Sequence, residues 1–540
     1  MLRCVRRPRH RGRRSRLKGL VLLRSWLGGA EIARGYGSER DGWGAGLAFN
    51  CGRVVVLEVG GRCPLSGLGL GLACGCRAWH GAARVGAANQ FHPLSFSLQF
   101  PEHSMAKGPS SASTRLPRRA FLSAALLPAA GPFLRFGPLR DKVRVAIVGV
   151  GGRGAGNLAS ILGEQIVGIC DVDSTQINAA QKTLEARGHD PSGIKVYRDY
   201  RELIDAGGLD ALLVSTPDHT HAHPTVGGLR SGLAVYCEKP LAHTVEEVRL
   251  VRRVAAASGR PTQMGTQIHA GENYRRVVEL IRAGSIGSVS EVHVVCGKSW
   301  SDGRFGEEVP VPENLNWDLW QGPVPARPYS AGLHRANWRR FWNYGTGTLG
   351  DMACHHLDLV HWALDLDLPD STESEGPPVH PVGTPSWIHV RWGHPARGPR
   401  RAVEVHWWDG GHKPDLVAPD GQKIQWGDGC VFIGDKGVLC ADYGRHRLLP
   451  EKDFAEFVPP ERTIAPSIGH HAEWFRAIRE GGPTTCDFSY SGALSETVLL
   501  GNVALRAGKK LTGCRSDGLA EQIPEAEEFL SSPVREGWEF

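Results

Sequence analysis

The residues that point first to chemistry are glycines. Gly149-Val150-Gly151-Gly152-Arg153-Gly154 forms a G-x-G-x-x-G run directly behind the apolar, β-branched stretch Val143 to Val148. In that setting each glycine has a task. Gly149 permits a tight turn, Gly151 leaves room for a pyrophosphate, and Gly154 lets the following helix pack against the strand. The amides where that helix begins, at Gly152 and Arg153, are free to meet an anion. A second apolar stretch, Gln165 to Cys170, ends at Asp171, about twenty residues past the first glycine, where such folds place a ribose-binding acid. A carboxylate there accepts both ribose hydroxyls and repels a 2′-phosphate, which favours NAD over NADP. Asp173 competes for the same role. The chemistry these types allow is the holding of a dinucleotide for hydride transfer.

The elements that must position them alternate. Helical patterns at Ala155–Leu162, Thr175–Arg187 and Tyr200–Ala206 separate strands at Gln165–Cys170, Lys195–Tyr197 and Asp210–Ser215. The polar loop Thr216-Pro217-Asp218-His219-Thr220-His221 follows, then a strand at Ala234–Cys237 that runs into Glu238-Lys239-Pro240. Strands alternating with helices predict an α/β Rossmann domain with a doubly wound parallel sheet, over residues 141–268. Ligands bind beyond the carboxyl ends of such strands, where both the Thr216–His221 loop and Lys239 lie.

From Glu291 the period changes. Runs at Val292–Val295, Trp387–Trp392, Ala402–Trp408, Cys430–Ile433 and Val438–Ala441 predict an α+β domain over 269–512. Its sheet is expected to be open and mainly antiparallel, with helices on one face. Helices at His471–Arg479 and Ser495–Arg506 are expected to return to the domain junction, residues 369–381 to form a loop, and 513–540 a C-terminal tail. The Trp-rich stretch from Trp317 and Trp320 to Trp338, Phe341 and Trp342 has the composition of a sugar-binding wall or of ordinary core.

The net charge of +7 on 540 residues is unevenly placed. Residues 1–104 carry an excess of about eleven basic groups, 105–140 about six more, and the rest is mildly acidic. A nucleic-acid partner is not expected, because the basic groups lie outside the predicted domains. No apolar run is long enough for stable membrane insertion. Thirteen cysteines are scattered without zinc-like spacing, and no metal is expected; His219, His221 and His223 lack the carboxylate or cysteine that would complete a site. Residues 1–104, with their Arg-dense start and Gly-rich texture, read as a non-native or disordered extension. Residues 105–140 resemble a twin-arginine export signal, Arg118-Arg119 before a short Ala/Leu-rich stretch. Export to the periplasm with translation from Met105 is expected, or a cytoplasmic location if 105–140 is not a signal.

At residues 141–512 the chain resembles the Gfo/Idh/MocA oxidoreductases. The resemblance rests on the 149–154 turn, the Thr216–His221 loop and the Glu238-Lys239-Pro240 tripeptide. It extends through Arg282-Ala283-Gly284-Ser285-Ile286-Gly287 and the run from Gly347 to Leu364. It implies a carbohydrate substrate and makes Thr216, Pro217, His221 and Glu238 cofactor-loop residues. It puts Lys239 beside the nicotinamide and maps an Asp-x-x-x-His pattern onto Asp351 and His355. Four apart on a helix, these two share a face. His355 or Lys239 would take the proton of a substrate hydroxyl as hydride leaves its carbon; members of the family differ in which does. Asp351 would orient His355 or bind a hydroxyl, and Asp358 is a further group able to orient the imidazole. His356 points off that face. The second domain implies subunit contacts through the open sheet, hence a homo-oligomer. Two rivals to a sugar or polyol dehydrogenase stand: an NAD-dependent glycoside hydrolase or lyase using transient oxidation, and a non-catalytic sugar-binding protein.

Overall fold

Two apolar periods build two sheets. The structure, a computed structural model, describes residues 22–27, 30–35, 141–515 and 519–540. The twin-arginine-like segment lies outside the described residues, as does most of the 1–104 extension, in which β1 (Leu22–Leu27) pairs antiparallel with β2 (Ala30–Gly35).

β3 (Arg144–Val148) is buried at each position from Val145 to Val148, as befits a parallel strand covered on both faces. In chain order follow α1 (Arg153–Ser160), β4 (Gln165–Cys170), α2 (Ser174–Ala186), β5 (Lys195–Tyr197), α3 (Tyr200–Asp205), β6 (Ala211–Val214), α4 (Ala222–Arg230), β7 (Ala234–Cys237), α5 (Val245–Ser258) and β8 (Thr262–Met264). The strands pair in the order β5-β4-β3-β6-β7-β8, all parallel. The winding direction reverses between β3 and β6, which opens a crevice beyond their carboxyl ends. Local chemistry fixes the helix starts. Asp173 caps α2 by accepting from the Thr175 amide, and Thr244 with Glu247 makes a reciprocal capping box on α5.

The chain continues through α6 (Glu272–Arg282), β9 (Val289–Val295), α7 (Trp317–Gln321), α8 (Gly347–Leu364), β10 (Ser371–Glu375), β11 (His389–His394), β12 (Val403–Trp408), β13 (Gly429–Gly434), β14 (Gly437–Ala441) and β15 (His446–Leu449). α9 (His470–Glu480), α10 (Phe488–Ala507), β16 (Leu511–Thr512), α11 (Leu519–Gln522) and α12 (Pro524–Leu530) close it. The second sheet runs β15-β14-β13-β9-β12-β11-β10-β16, with β12–β9 its parallel pair. Val390, Trp392, Val405 and Trp407 are buried with residues of α8 and α10 in one core, and the Trp392 indole donates to the Thr497 carbonyl at 2.8 Å. This is the α/β Rossmann plus open, mainly antiparallel α+β architecture that the periods predict.

One expectation is corrected. Ser371–Glu375, expected inside a loop, is β10, bonded to β11 and β16. Its polar residues gave no period to read, because only Thr372 is buried and the ladder alone defines the strand. In the C-terminal tail, Cys514, Leu519, Ala526, Leu530 and Trp538 are buried. α9 returns to the junction as expected, and its Trp474 and Phe475 complete the core of the first sheet beside Ile147, Leu213 and Tyr236.

Candidate active site

The glycine turn sits between β3 and α1 as its spacing requires. Gly149 has φ +82°, and a Cβ there would lie 2.6 Å from the Ser215 carbonyl oxygen, so only glycine fits. A Cβ on Gly154 would lie 2.0 Å from the Gly149 carbonyl oxygen, the close helix–strand approach expected of it. Gly151 differs in detail. A Cβ there would meet the Gln176 side chain at 2.8 Å, whereas Gly152, at φ +51°, has nothing within 4 Å. The open approach to the turn is therefore over Gly152, which caps α1 without a side-chain hydrogen bond. The unfilled amides there suit a phosphate.

The structure separates Asp171 from Asp173. Asp173 is consumed by the α2 cap and by the Asn314 amide, which donates at 2.6 Å. Asp171 faces the cleft, its two oxygens accepting from the Val150 and Asp173 amides at 2.9 Å each. Burial raises its carboxyl above the usual range against those amide bonds.

A cleft of about 660 Å³ runs from Asp171 past Gly149, Gly151, Gly152 and Arg153 to Lys239, Asp351 and His355. Thr216, Pro217, His221 and Glu238 also line it. Each predicted site residue is there except Gly154, which packs behind the turn. The Lys239 ammonium donates to the Asp351 carboxylate at 2.8 Å and to its carbonyl at 2.5 Å. Arg339 donates to the same carboxylate oxygen at 2.8 Å. Burial alone would raise Asp351, but Lys239 and Arg339 hold its carboxyl well below the ordinary range. His355 lies half-buried one turn further along α8, its Nδ1 buried without a partner. Burial, reinforced by the charge of Lys239, pushes its imidazole well below the usual value, so it is neutral at pH 7. The hydrogen bonds of Asp351 go to Lys239 and Arg339 rather than to His355. Asp358 bonds His269 at 2.9 Å and the Tyr490 hydroxyl at 2.7 Å.

The loops are tied by histidines. The His221 ring nitrogens face the Pro240 carbonyl at 2.6 Å and the Thr216 carbonyl at 2.8 Å, joining the two predicted cofactor loops. His219 faces the Trp320 and Tyr344 carbonyls, and His223 that of Trp538, so the three histidines hold backbone rather than converge. Glu238 accepts from Asn157 at 2.8 Å and Gln267 at 2.7 Å. Two groups of metal-ligating types do meet among the described residues: His269 with Asp358 and Cys486, and Glu291 with His293 and His406. Local spacing could not show either, since each joins separate elements.

All six aromatics of the Trp-rich stretch, Tyr329 among them, are buried, and Trp320 and Trp338 also border the cleft. Arg339, Lys298, Tyr443 and Trp538 line it unforeseen. They come from a 3₁₀ turn, from the loops that follow β9 and β14 and from the C-terminal segment, and no motif spacing marks them.

The site fits a dinucleotide: an uncapped helix start behind a glycine turn, an acid after β4, and orphaned buried atoms, Thr216 Oγ1 and His355 Nδ1. Residues 143–266 match the family model for the oxidoreductase family NAD-binding Rossmann fold, and residues 275–396 its C-terminal alpha/beta domain. Inositol 2-dehydrogenase 3 of Saccharopolyspora erythraea is 33% identical over 158 residues, 28% of this chain and 44% of that protein. A glycosyl hydrolase family 109 protein of Shewanella sp. (strain ANA-3) is 29% identical over 157 residues, 28% of this chain and 34% of that protein. The chain thus spans about half the length, or less, of these curated relatives. An NAD-binding protein from Listeria innocua has a similar solved structure, at TM-score 0.49 and 14% identity over 69% of this chain and 98% of that one.

Proposed function

We propose that the protein, whose residues 143–266 and 275–396 match the models of the Gfo/Idh/MocA oxidoreductase family, is an NAD-dependent dehydrogenase of a sugar, polyol or sugar derivative. The observation that carries it is the convergence of Lys239, Asp351 and His355 at one end of the cleft that begins at the glycine turn. Bound there, a nicotinamide supplies the hydride acceptor or donor. Asp171 takes the ribose hydroxyls, and the Gly152–Arg153 amides take the pyrophosphate. Neutral His355 accepts the proton of a substrate hydroxyl, while Lys239, held by Asp351, hydrogen-bonds the same oxygen and stabilises its developing charge. Trp338 and Trp320 offer apolar faces to sugar C–H groups.

Purified protein, assayed with NAD against a panel of polyols and aldoses, should accumulate NADH with at least one of them. Glycoside cleavage without net NADH would instead favour transient oxidation, the reading that the hydrolase-named relatives support. No turnover of any kind would favour a binding protein. Export by the twin-arginine route belongs to the same proposal, since that route carries folded proteins with cofactor in place. N-terminal sequencing of the native protein tests it, and a mature protein retaining residues 1–104 would sink it.

A further inference from the structure

We propose that the last six residues, Arg535–Phe540, form a strap over the adenosine end of the cleft, with Trp538 as a wall for the adenine ring. The inference rests on the reading of the cleft as an NAD site.

The sheet order sets the orientation. The glycine turn follows β3, the acid follows β4, and β5 lies at the sheet edge beyond them, whereas Lys239 follows β7 on the other side. The nicotinamide end is therefore at Lys239, and the adenosine end runs past Asp171 toward Arg198, Asp199 and Tyr200. Trp538 lines the cleft at that end with Tyr200, Thr220 and Pro224. Its indole is only 7% exposed and lies 6.4 Å, centroid to centroid, from the Tyr200 ring.

Both domains anchor the strap. On the second-domain side, the Arg535 guanidinium donates to the Gly322 carbonyl at 2.5 Å and to Asp318 Oδ1 at 2.5 Å, and the Arg535 amide donates to the Pro323 carbonyl at 3.0 Å. On the other side, His223 Nε2 bonds the Trp538 carbonyl at 2.8 Å, and Phe540 stacks on the His223 ring at 4.1 Å. The Arg201 guanidinium lies 4.6 Å over the Trp538 ring. The strap thus ties the loop after α7 to the starts of α3 and α4, across the mouth where the adenine would enter. Gly322 permits the approach: with φ +54°, a Cβ there would press to 2.5 Å from Thr220. A purine offers a flat π face to an indole so placed. Release of the dinucleotide then requires the strap to lift, and the C-terminus sets how long the cofactor stays.

The test compares the full chain with Trp538→Ala, Trp538→Phe and a chain lacking Val534–Phe540. Far-UV circular dichroism establishes that each is folded. The readouts are NADH release by stopped-flow displacement and the nucleotide retained through gel filtration, measured by mass. Release should be about tenfold faster, or more, in the Ala variant and the truncation, and nearly unchanged in the Phe variant. Release within about twofold of the parent in both the Ala variant and the truncation would overturn the strap while leaving the NAD site standing. A parent protein that neither retains nor binds NAD(H) would overturn both readings together.

Discussion

Lys239 and Arg339 share one oxygen of Asp351, and that sharing decides which groups exchange protons. Asp351 stays ionised and Lys239 has a fixed position, so the neutral imidazole of His355 is the group free to accept a proton. Replacing His355 with Asn should lower kcat by about 10²- to 10⁴-fold with a smaller change in KM. Lys239→Ala should cost a comparable factor, measured in steady-state NADH formation. The pH profile follows from the direction of the His355 shift. Its folded pKa lies well below 6.5, so the acid limb of kcat/KM should fall below pH 6.5, and a limb at or above that value would show a different base. Lys239, Asp351 and His355 were singled out because the family resemblance maps its lysine and its Asp-x-x-x-His pattern onto them, and the four-residue spacing puts the last two on one helix face; the structure brings all three to one cleft. Arg339 was not, because it sits in a short 3₁₀ turn before α8 (Asn337–Arg340) whose path depends on the packing of Trp338 and Phe341.

At the level of elements, the glycine turn is the joint most sensitive to substitution. Gly154→Ala places a methyl 2.0 Å from the Gly149 carbonyl. It should destabilise the protein by about 1–3 kcal/mol and weaken NAD binding, as thermal melting and titration calorimetry would show. Five of the six strands of the first sheet were legible to within a residue or two, helped by continuous apolar runs such as Ala211–Val214, whereas β8, three residues with Thr and Gln in it, was not. β10 was not, because a strand made of Ser, Thr and Glu is stabilised by ladder bonds that distant sequence supplies. The same limit hid the pairing of His269 with Asp358, on separate elements.

Across the whole molecule, many histidines are buried neutral. Burial lowers His219 and His471 to about 3, and His356, His361 and His470 to about 4. Each takes up a proton near pH 6.5 once unfolded. Their contribution to stability is therefore full above that pH and is lost as pH falls toward 4. His269 has the opposite sign. It is buried, which lowers its pKa, but Asp358 raises it well above 6.5, so its contribution is full in acid and lost on the alkaline side. Melting temperature should thus drop steeply between pH 6.5 and 4, and Asp358→Asn should flatten the alkaline decline. A melting temperature level through the acid range would mean that these rings are solvated. The change of period near Glu291 separated the two sheets, and the return of α9 to the junction was expected, but the side chains that hold it there were not. Trp474 of α9 donates to the Pro261 carbonyl and sits edge-on to Tyr236, and Arg479 pairs with Glu164 at 2.7 Å.

That interlocking bears on the order of synthesis. A ribosome delivers β3 to β8 some two hundred residues before it delivers α9, so the newborn nucleotide-binding half waits with Ile147, Leu213 and Tyr236 uncovered on one side. A fragment cut after residue 268 should therefore expose a sticky face and precipitate or bind a hydrophobic dye. Adding a separate peptide of residues 466–485 should quench that stickiness, as the missing lid of an unfinished box.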